Sequence, residues 1–345
     1  MARLRELGYP IVQASIAAAA SWALAHDAIG HPKAFFAPIA ALIAIGVAAS
    51  NRTRRVVELT LGVAVGIGVG DLLIYGIGSG AWQVGVVVLL AMSAAVLLGG
   101  GPLFVSQAAS SAVLVATLAP SGLNGSRFVD ALVGGAVGLA VVIAIPRNPI
   151  RTAREAGAPV LGELAAVLDD VARALETRDV AAREALGRAR ASDPALGRWR
   201  AAVELGLETT RLSPPYWRAR TQLERYAAAA AQVELAVRNT RVLARSAIRA
   251  TELEPDLPAD LHAAVRRLAA AVVELEATLE GRSDGSEAVA GALEAAAHAT
   301  RALEASPSLS VAHVVGQVRS TATDLLRALG LEDRVAVERV RAAAS

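Results

Sequence analysis

Cysteine is absent from the 345 residues. Disulfide frameworks, cysteine-ligated metal sites and cysteine nucleophiles are thereby excluded. Lysine is nearly absent as well, with Lys33 alone beside 33 arginines. Lys33 lies in His31-Pro32-Lys33-Ala34-Phe35, not at the end of a glycine-rich turn before Ser or Thr, so the phosphate-cradling nucleotide loop is missing. The same scarcity argues against a lysine Schiff base. Histidines His262, His298 and His313 have no partner four residues away, and no metal motif is visible. No Ser-His-Asp arrangement can be argued. These absences predict a protein that is not an enzyme and holds no cofactor or metal. A net charge of +2 gives no ground for expecting nucleic acid.

Apolar residues are plentiful instead, at 54%, with a mean hydropathy of +0.46. They concentrate in the first 146 residues, which hold seven Lys/Arg and five Asp/Glu, leaving 27 of each sign in the remainder. This asymmetry predicts a membrane half, 1–150, joined to a polar half, 151–345. A bilayer core needs about 20 apolar residues as helix. Six stretches approach this: Tyr9–Ala25, Phe35–Ser50, Val56–Ile77, Ala81–Leu98, Leu103–Ala119 and Phe128–Ile145. Arg3 and Arg5 before the first also fit a signal peptide, but five further spans make a signal anchor more economical.

Arginine placement orients the spans. With the N-terminus inside, the inner segments carry Arg3, Arg5, Arg52, Arg54, Arg55, Arg147, Arg151 and Arg154, and the outer loops only Lys33 and Arg127. The tail is therefore expected to be cytoplasmic. An internal repeat stands out. Arg55, Glu58, Gly62 and Gly66 recur as Arg127, Asp130, Gly134 and Gly138, a constant offset of 72 residues. Three spans per copy would invert the second copy across the membrane. Inverted repeats are common in secondary transporters, with the substrate site near the midplane.

Gly62, Gly66 and Gly70 share one helical face, as do Gly134 and Gly138. Small residues there let helices approach closely. Asp71 sits near the outer end of the third span, where it is either a solvated interfacial acid or a proton or substrate site. Glu58 and Asp130 each follow an arginine by three residues, which favours local ion pairs. Ser106, Gln107, Ser110 and Ser111 in the fifth span are expected on one face, for interhelical bonding or for lining a polar path, with Gln13 and Ser15 joining. Pro38, matched to Ser110 by the 72-residue offset, would break the second span near the midplane.

Beyond Arg151 the pattern is helical and alanine-rich. Breakers such as Ser213-Pro214-Pro215, Glu254-Pro255 and Ser306-Pro307 divide it into eight segments, predicting an antiparallel helical bundle. Arg238, Arg241, Arg245 and Arg249 share one face of the longest segment. They form an ion-paired surface, or a surface for anionic lipid or substrate. Tyr216 and Trp217 beside Pro214-Pro215 suggest packing against the membrane face.

The segment Phe35-Phe36-Ala37-Pro38, then Asn51-Arg52-Thr53-Arg54-Arg55, then Leu61-Gly62 and Gly66 resembles the fusaric acid resistance (FUSC) membrane domain. The arginine-rich stretch Ala236–Arg245 is similar to a helix that follows that domain. Where Gly-Thr is frequent in that family, this chain has Gly62-Val63. The resemblance implies six spans followed by a helical cytoplasmic region, and export of small organic anions, often aromatic acids. Larger relatives carry two membrane blocks, so one block implies a homodimer. The leading expectation is a multi-pass plasma-membrane transporter for proton-coupled efflux of an organic anion. Asp71 would be its proton site, and Arg52, Arg54 and Arg55 its inner mouth. The alternatives are an organic-anion channel and a non-transporting scaffold.

Overall fold

The computed structural model describes residues 2–32, 34–48, 53–78, 80–117, 125–178 and 181–343. They form helices, turns and bends, with no strand among the described residues. The chain divides into two compact units at Arg147/Asn148.

The N-terminal unit contains α1 (Ala2–Ala23), α2 (Phe36–Ala48), α3 (Thr53–Ile77), α4 (Ala81–Leu97), α5 (Pro102–Thr117) and α6 (Ser126–Ala144), with a π-helical turn, Leu24–Ala28, after α1. Among the described residues, each apolar stretch expected from the sequence falls mainly on one helix, the first running on into the π-helical turn. Length separates them, however. Glu58–Ile77 and Ser126–Ala144 are long and apolar enough to cross a membrane, whereas Phe36–Ile45, Ala81–Leu97 and Pro102–Thr117 are apolar but shorter. The 17 residues of α4 rise about 26 Å against a hydrocarbon core of about 30 Å.

The most extensive pairings in this unit are α3 with α5 and α2 with α6. Exchanging α1, α2 and α3 for α4, α5 and α6 turns one into the other. It also turns α1–α2 into α4–α5 and α1–α6 into α3–α4. The α2–α3 packing has no comparably extensive α5–α6 counterpart.

The C-terminal unit contains α7 (Pro149–Thr177), α8 (Ala181–Ala191), α9 (Asp193–Leu212), α10 (Arg220–Leu253), α11 (Ala259–Leu279), α12 (Ser286–Ala305), α13 (Leu309–Ala328) and α14 (Asp333–Ala343). The segment expected to start at Pro215 instead opens with a separate 3-10 turn, Pro214–Ala219. Two adjacent prolines lack the N–H groups that the first turn of a longer helix would use further in. Asn148 caps α7 by accepting from the Ile150 and Arg151 amides at 3.1 and 3.2 Å, with Pro149 at the first helical position. One core runs through the bundle, including Leu164, Leu168, Trp199, Leu223, Leu243, Leu268, Leu275 and Leu325, with alanine closing the gaps between helices.

Candidate functional site

Two glycine seams organise the N-terminal unit. A Cβ added at Gly62 would lie 2.9 Å from the Phe104 carbonyl oxygen of α5. One at Gly66 would press on the Ala108 backbone, 2.9 Å from both its carbonyl carbon and Cα. One at Gly70 would come within 3.2 Å of the Val115 side chain. On the other seam, a Cβ at Gly134 would lie 2.8 Å from the Ala37 carbonyl carbon of α2, and one at Gly138 would lie 2.8 Å from the Ala44 side chain. The partners advance with the glycines on both seams, so α5 runs parallel to α3 and α2 parallel to α6.

A third seam joins α3 to α6. Gly135 faces Thr60, Gly68 faces Phe128, and Asp71 meets Arg127. Partner numbers here fall as the glycine or acid advances along α3, so α3 and α6 are antiparallel. The register also corrects the sequence reading. The glycines repeat at 72 residues, but Phe104 stands 67 after Ala37 and Ala108 stands 67 after Ala41. Pro38 therefore does not match Ser110. It occupies the first turn of α2, where a missing N–H breaks no helical bond, and α2 continues through it to Ala48.

An ion pair and a histidine–carboxylate hydrogen bond lie at one end of α6. Arg127 Nη1 donates to Asp71 Oδ1 at 2.8 Å, and both side chains are largely buried. His31 Nδ1 donates to Asp130 Oδ1 at 2.6 Å, with Asp130 only 1% exposed. His26 Nδ1 in turn donates to the His31 carbonyl at 3.1 Å, and the Trp22 ring stacks on His26. The partner seen for Asp130 is thus His31, 99 residues away in sequence, and not the local arginine expected. No local pattern encodes that pairing. An acid inside an apolar span was its only sequence signal.

The proposed path residues do not gather. Ser106 and Ser110 are exposed, and Ser110 Oγ donates to the Ser106 carbonyl at 3.0 Å. Gln107 is half-buried against Gly62, and Ser111 is buried. Gln13 donates to the Ile145 carbonyl at 3.0 Å, the same oxygen that Tyr9 Oη donates to at 2.5 Å. Ser15 turns outward and donates back to Ile11. Arg52 lies outside the described residues, as do the side chains of Arg54 and Arg55.

In the bundle, Arg238 donates to Glu234 at 2.6 Å, and Arg241 reaches Asp193 at 2.5 Å and the Ala189 carbonyl at 2.9 Å. Arg245 and Arg249 are exposed. Asp193 is held below the usual carboxylate range, chiefly by its hydrogen bond from Arg241. Among the described residues no cluster of three or more His, Asp or Glu could hold a metal ion.

Residues 16–141 match the fusaric acid resistance protein-like family. An uncharacterized protein of Corynebacterium glutamicum is 35% identical over 339 residues, covering 95% of this chain and 86% of that protein. Proteins named putative arylamide transporter in Mycobacterium bovis and Mycobacterium tuberculosis are 42% identical over 184 residues, covering 51% of this chain and 50% of theirs.

Proposed function

Because the chain belongs to the fusaric acid resistance protein-like family, we propose that it is a plasma-membrane exporter of small aromatic or organic anions, driven by the proton gradient. A membrane transport role follows from the family and from the transporter-named relatives. Because of those names, arylamides belong in the panel of compounds to be tried.

The observation that carries the mechanism is the antiparallel α3–α6 pair flanked by two parallel glycine seams. Two helices related by an inverted repeat run antiparallel, and each meets its own partner through an equivalent seam. In this reading all six helices span, tilted or with local thinning where they are short. Backbones in direct contact at Gly66–Ala108 and Gly134–Ala37 carry no long side chains to interlock. Each pair can therefore slide or rock as a unit, which is the motion alternating access requires. The N-terminus and bundle lie in the cytoplasm, Arg52, Arg54 and Arg55 gather the anion at the inner mouth, and two chains form a dimer.

Asp71 is the proton group in this scheme. Ionised, it holds Arg127 and so ties α3 to α6. Protonated, it releases that tie and lets the seam move. The test is flux in proteoliposomes of the purified protein, offered aromatic acids, arylamides and dicarboxylates under an imposed pH gradient. Gradient-driven accumulation that loses its pH dependence in Asp71→Asn supports the scheme. Unchanged pH dependence in that variant removes Asp71 from it. Ungated current down the anion's own gradient would mean a channel, and no flux for any compound would leave a scaffold.

A further inference from the structure

The two ends of the bundle differ in chemistry. Arg154 of α7, Tyr226 of α10 and Leu279 and Glu280 at the end of α11 line one small cavity. These contacts bring the starts of α7 and α10 and the end of α11 together. Gly206 faces Pro149, the first residue of α7, and the 3-10 turn Pro214–Ala219 packs on α7 and α9. The stretch from Arg211 to Arg225 therefore belongs to this end. At the opposite end, Arg178 beyond α7 donates to the Glu254 carbonyl at the close of α10.

On the near end Trp217 is 60% exposed and Leu212 41%, beside exposed Pro214 and Pro215. Arg211, Arg218, Arg220 and Arg225 surround them, all exposed, and Glu224 is the only acid in the stretch. Glu224 is occupied by Arg220 at 2.8 Å. At the far end exposed Leu253 stands among Glu252, Glu254 and Asp256, where Arg183 pairs with Glu252 at 2.8 Å and no aromatic ring accompanies it in the sequence from 249 to 257. Chain length supplies a second constraint. Ala144 ends α6 and Pro149 begins α7, a separation of five residues or at most about 18 Å of chain.

We propose that the Arg211–Arg225 surface docks on the lipid headgroup layer of the bilayer that holds the N-terminal unit. This rests on the reading that the unit spans the membrane. Indole and proline rings with a leucine beside them suit the interfacial zone, where one side is apolar and the other wet. The arginines complement anionic headgroups, and their attraction falls off within a Debye length, so it acts only on a surface held close. If the N-terminal unit spans the bilayer, the five-residue link limits how far Pro149 can stray from the headgroup layer.

The absence of cysteine allows single reporters on the full-length chain without background. Nitroxides are placed by Leu212→Cys, by Leu309→Cys at the start of α13, and by Leu89→Cys on the exposed face of α4. All three positions are solvent-accessible, so labelling leaves the cores intact. Collision with oxygen is compared with collision with a water-soluble nickel chelate, in zwitterionic vesicles with and without phosphatidylglycerol. The expected result is oxygen dominating at 89 throughout and at 212 with phosphatidylglycerol, and the chelate dominating at 309. Replacing Arg211, Arg218 and Arg220 by Gln reverses position 212 alone. Chelate dominating at 212 while 89 stays oxygen-accessible overturns the docking and leaves the membrane reading standing. Chelate dominating at 89 overturns both. Protection of 212 that persists in detergent with spin–spin broadening assigns the surface to a second copy and likewise overturns the proposal.

Discussion

The two units solve the same problem, holding helices together, by opposite means. In the bundle, Leu168, Leu243 and Leu268 are fully buried, and charged side chains cover the outside. Water drives that arrangement, because burying apolar surface removes it from solvent. The N-terminal unit leaves large apolar side chains outside: Leu97 is 87% exposed, Tyr75 69%, and Trp82 and Leu89 64%. Its closest helix contacts are made by glycine against backbone, beside small apolar clusters such as Phe36, Ile67 and Val115. Lipid offers no hydrophobic gain for bringing helices together, so close van der Waals approach must supply it. Charge is also handled differently. The bundle displays arginine–carboxylate pairs on its surface, whereas the N-terminal unit buries Asp71–Arg127 and His31–Asp130.

The sharpest way to break this comparison is to put side chains into the seams. Gly66→Val and Gly134→Val each drive a Cβ into backbone, which has nowhere to move. Overpacking costs roughly 1–3 kcal/mol and more where nothing can yield. We expect loss of monodisperse protein in detergent chromatography for either variant. Gly162 on α7 is the counter-case. It is exposed mid-helix with nothing within 4 Å of its missing Cβ. Gly162→Ala should raise the thermal midpoint, by about 0.5–1 kcal/mol in stability. Equal tolerance at Gly66 and Gly162 would dissolve the distinction between the units.

The buried ion pair comes next. Asp71→Asn alone removes the carboxylate that Arg127 bonds, and Arg127→Gln alone removes the guanidinium that Asp71 bonds. Breaking a buried pair from one side costs about 3–5 kcal/mol. The double variant leaves two neutral amide side chains able to bond each other. It should recover most of the thermal stability lost by either single change. Additive losses would show that the two residues do not interact as drawn.

Much of this was legible in the sequence, for reasons that particular residues make plain. Breakers at Pro194, Pro214-Pro215, Pro255 and Pro307 bound the bundle helices because proline cannot supply an interior N–H. The glycine spacing on α3 and α6 marked faces that do meet other helices. What failed was long-range register. The α2–α5 offset of 67 differs from the glycine offset of 72 because connection lengths differ between the halves, and periodicity says nothing about loops. The polar face of α5 failed for a simpler reason. Adjacent residues sit about 100° apart on a helix, so Ser106 with Ser110 and Gln107 with Ser111 point different ways. His31 found Asp130 across 99 residues, which no local pattern foretells.

Within the bundle, one acid behaves as though it were in the other unit. Asp324 on α13 is buried and accepts from Asn239 Nδ2 of α10 at 2.7 Å, with Arg327 at 3.9 Å. Burial outweighs both partners and pushes its pKa from 3.8 up to about 6. The folded state therefore keeps a proton that the unfolded chain releases. The resulting stability is fully present below about pH 4 and is lost as pH rises through 6. Amide exchange of α10 and α13 should accelerate between pH 5 and 7 beyond the intrinsic rate. Asp324→Asn keeps the hydrogen-bonding shape, removes that pH dependence, and stabilises at pH 7 by up to about 3 kcal/mol. A pH slope that survives the substitution would place the titrating group elsewhere.

The smallest effect tests the comparison from its weak side. Glu234 bridges Arg200 at 2.5 Å and Arg238 at 2.6 Å, and both arginines are more than half exposed. The geometry is as good as that of Asp71–Arg127, but its arginines stand in water while Arg127 is only 11% exposed. Solvent screens the attraction, and ordering two long side chains costs entropy, so such pairs contribute about 0.2–1 kcal/mol. Glu234→Gln should lower the bundle's stability by no more than that, and the difference should shrink as salt rises towards 1 M, where the Debye length is about 3 Å. Asp71→Asn, measured in the same salt series, should keep most of its cost, because both side chains of that pair are largely buried and screened less. A salt-insensitive Glu234→Gln or a salt-sensitive Asp71→Asn would mean that burial does not set the strength of charge pairing in this chain.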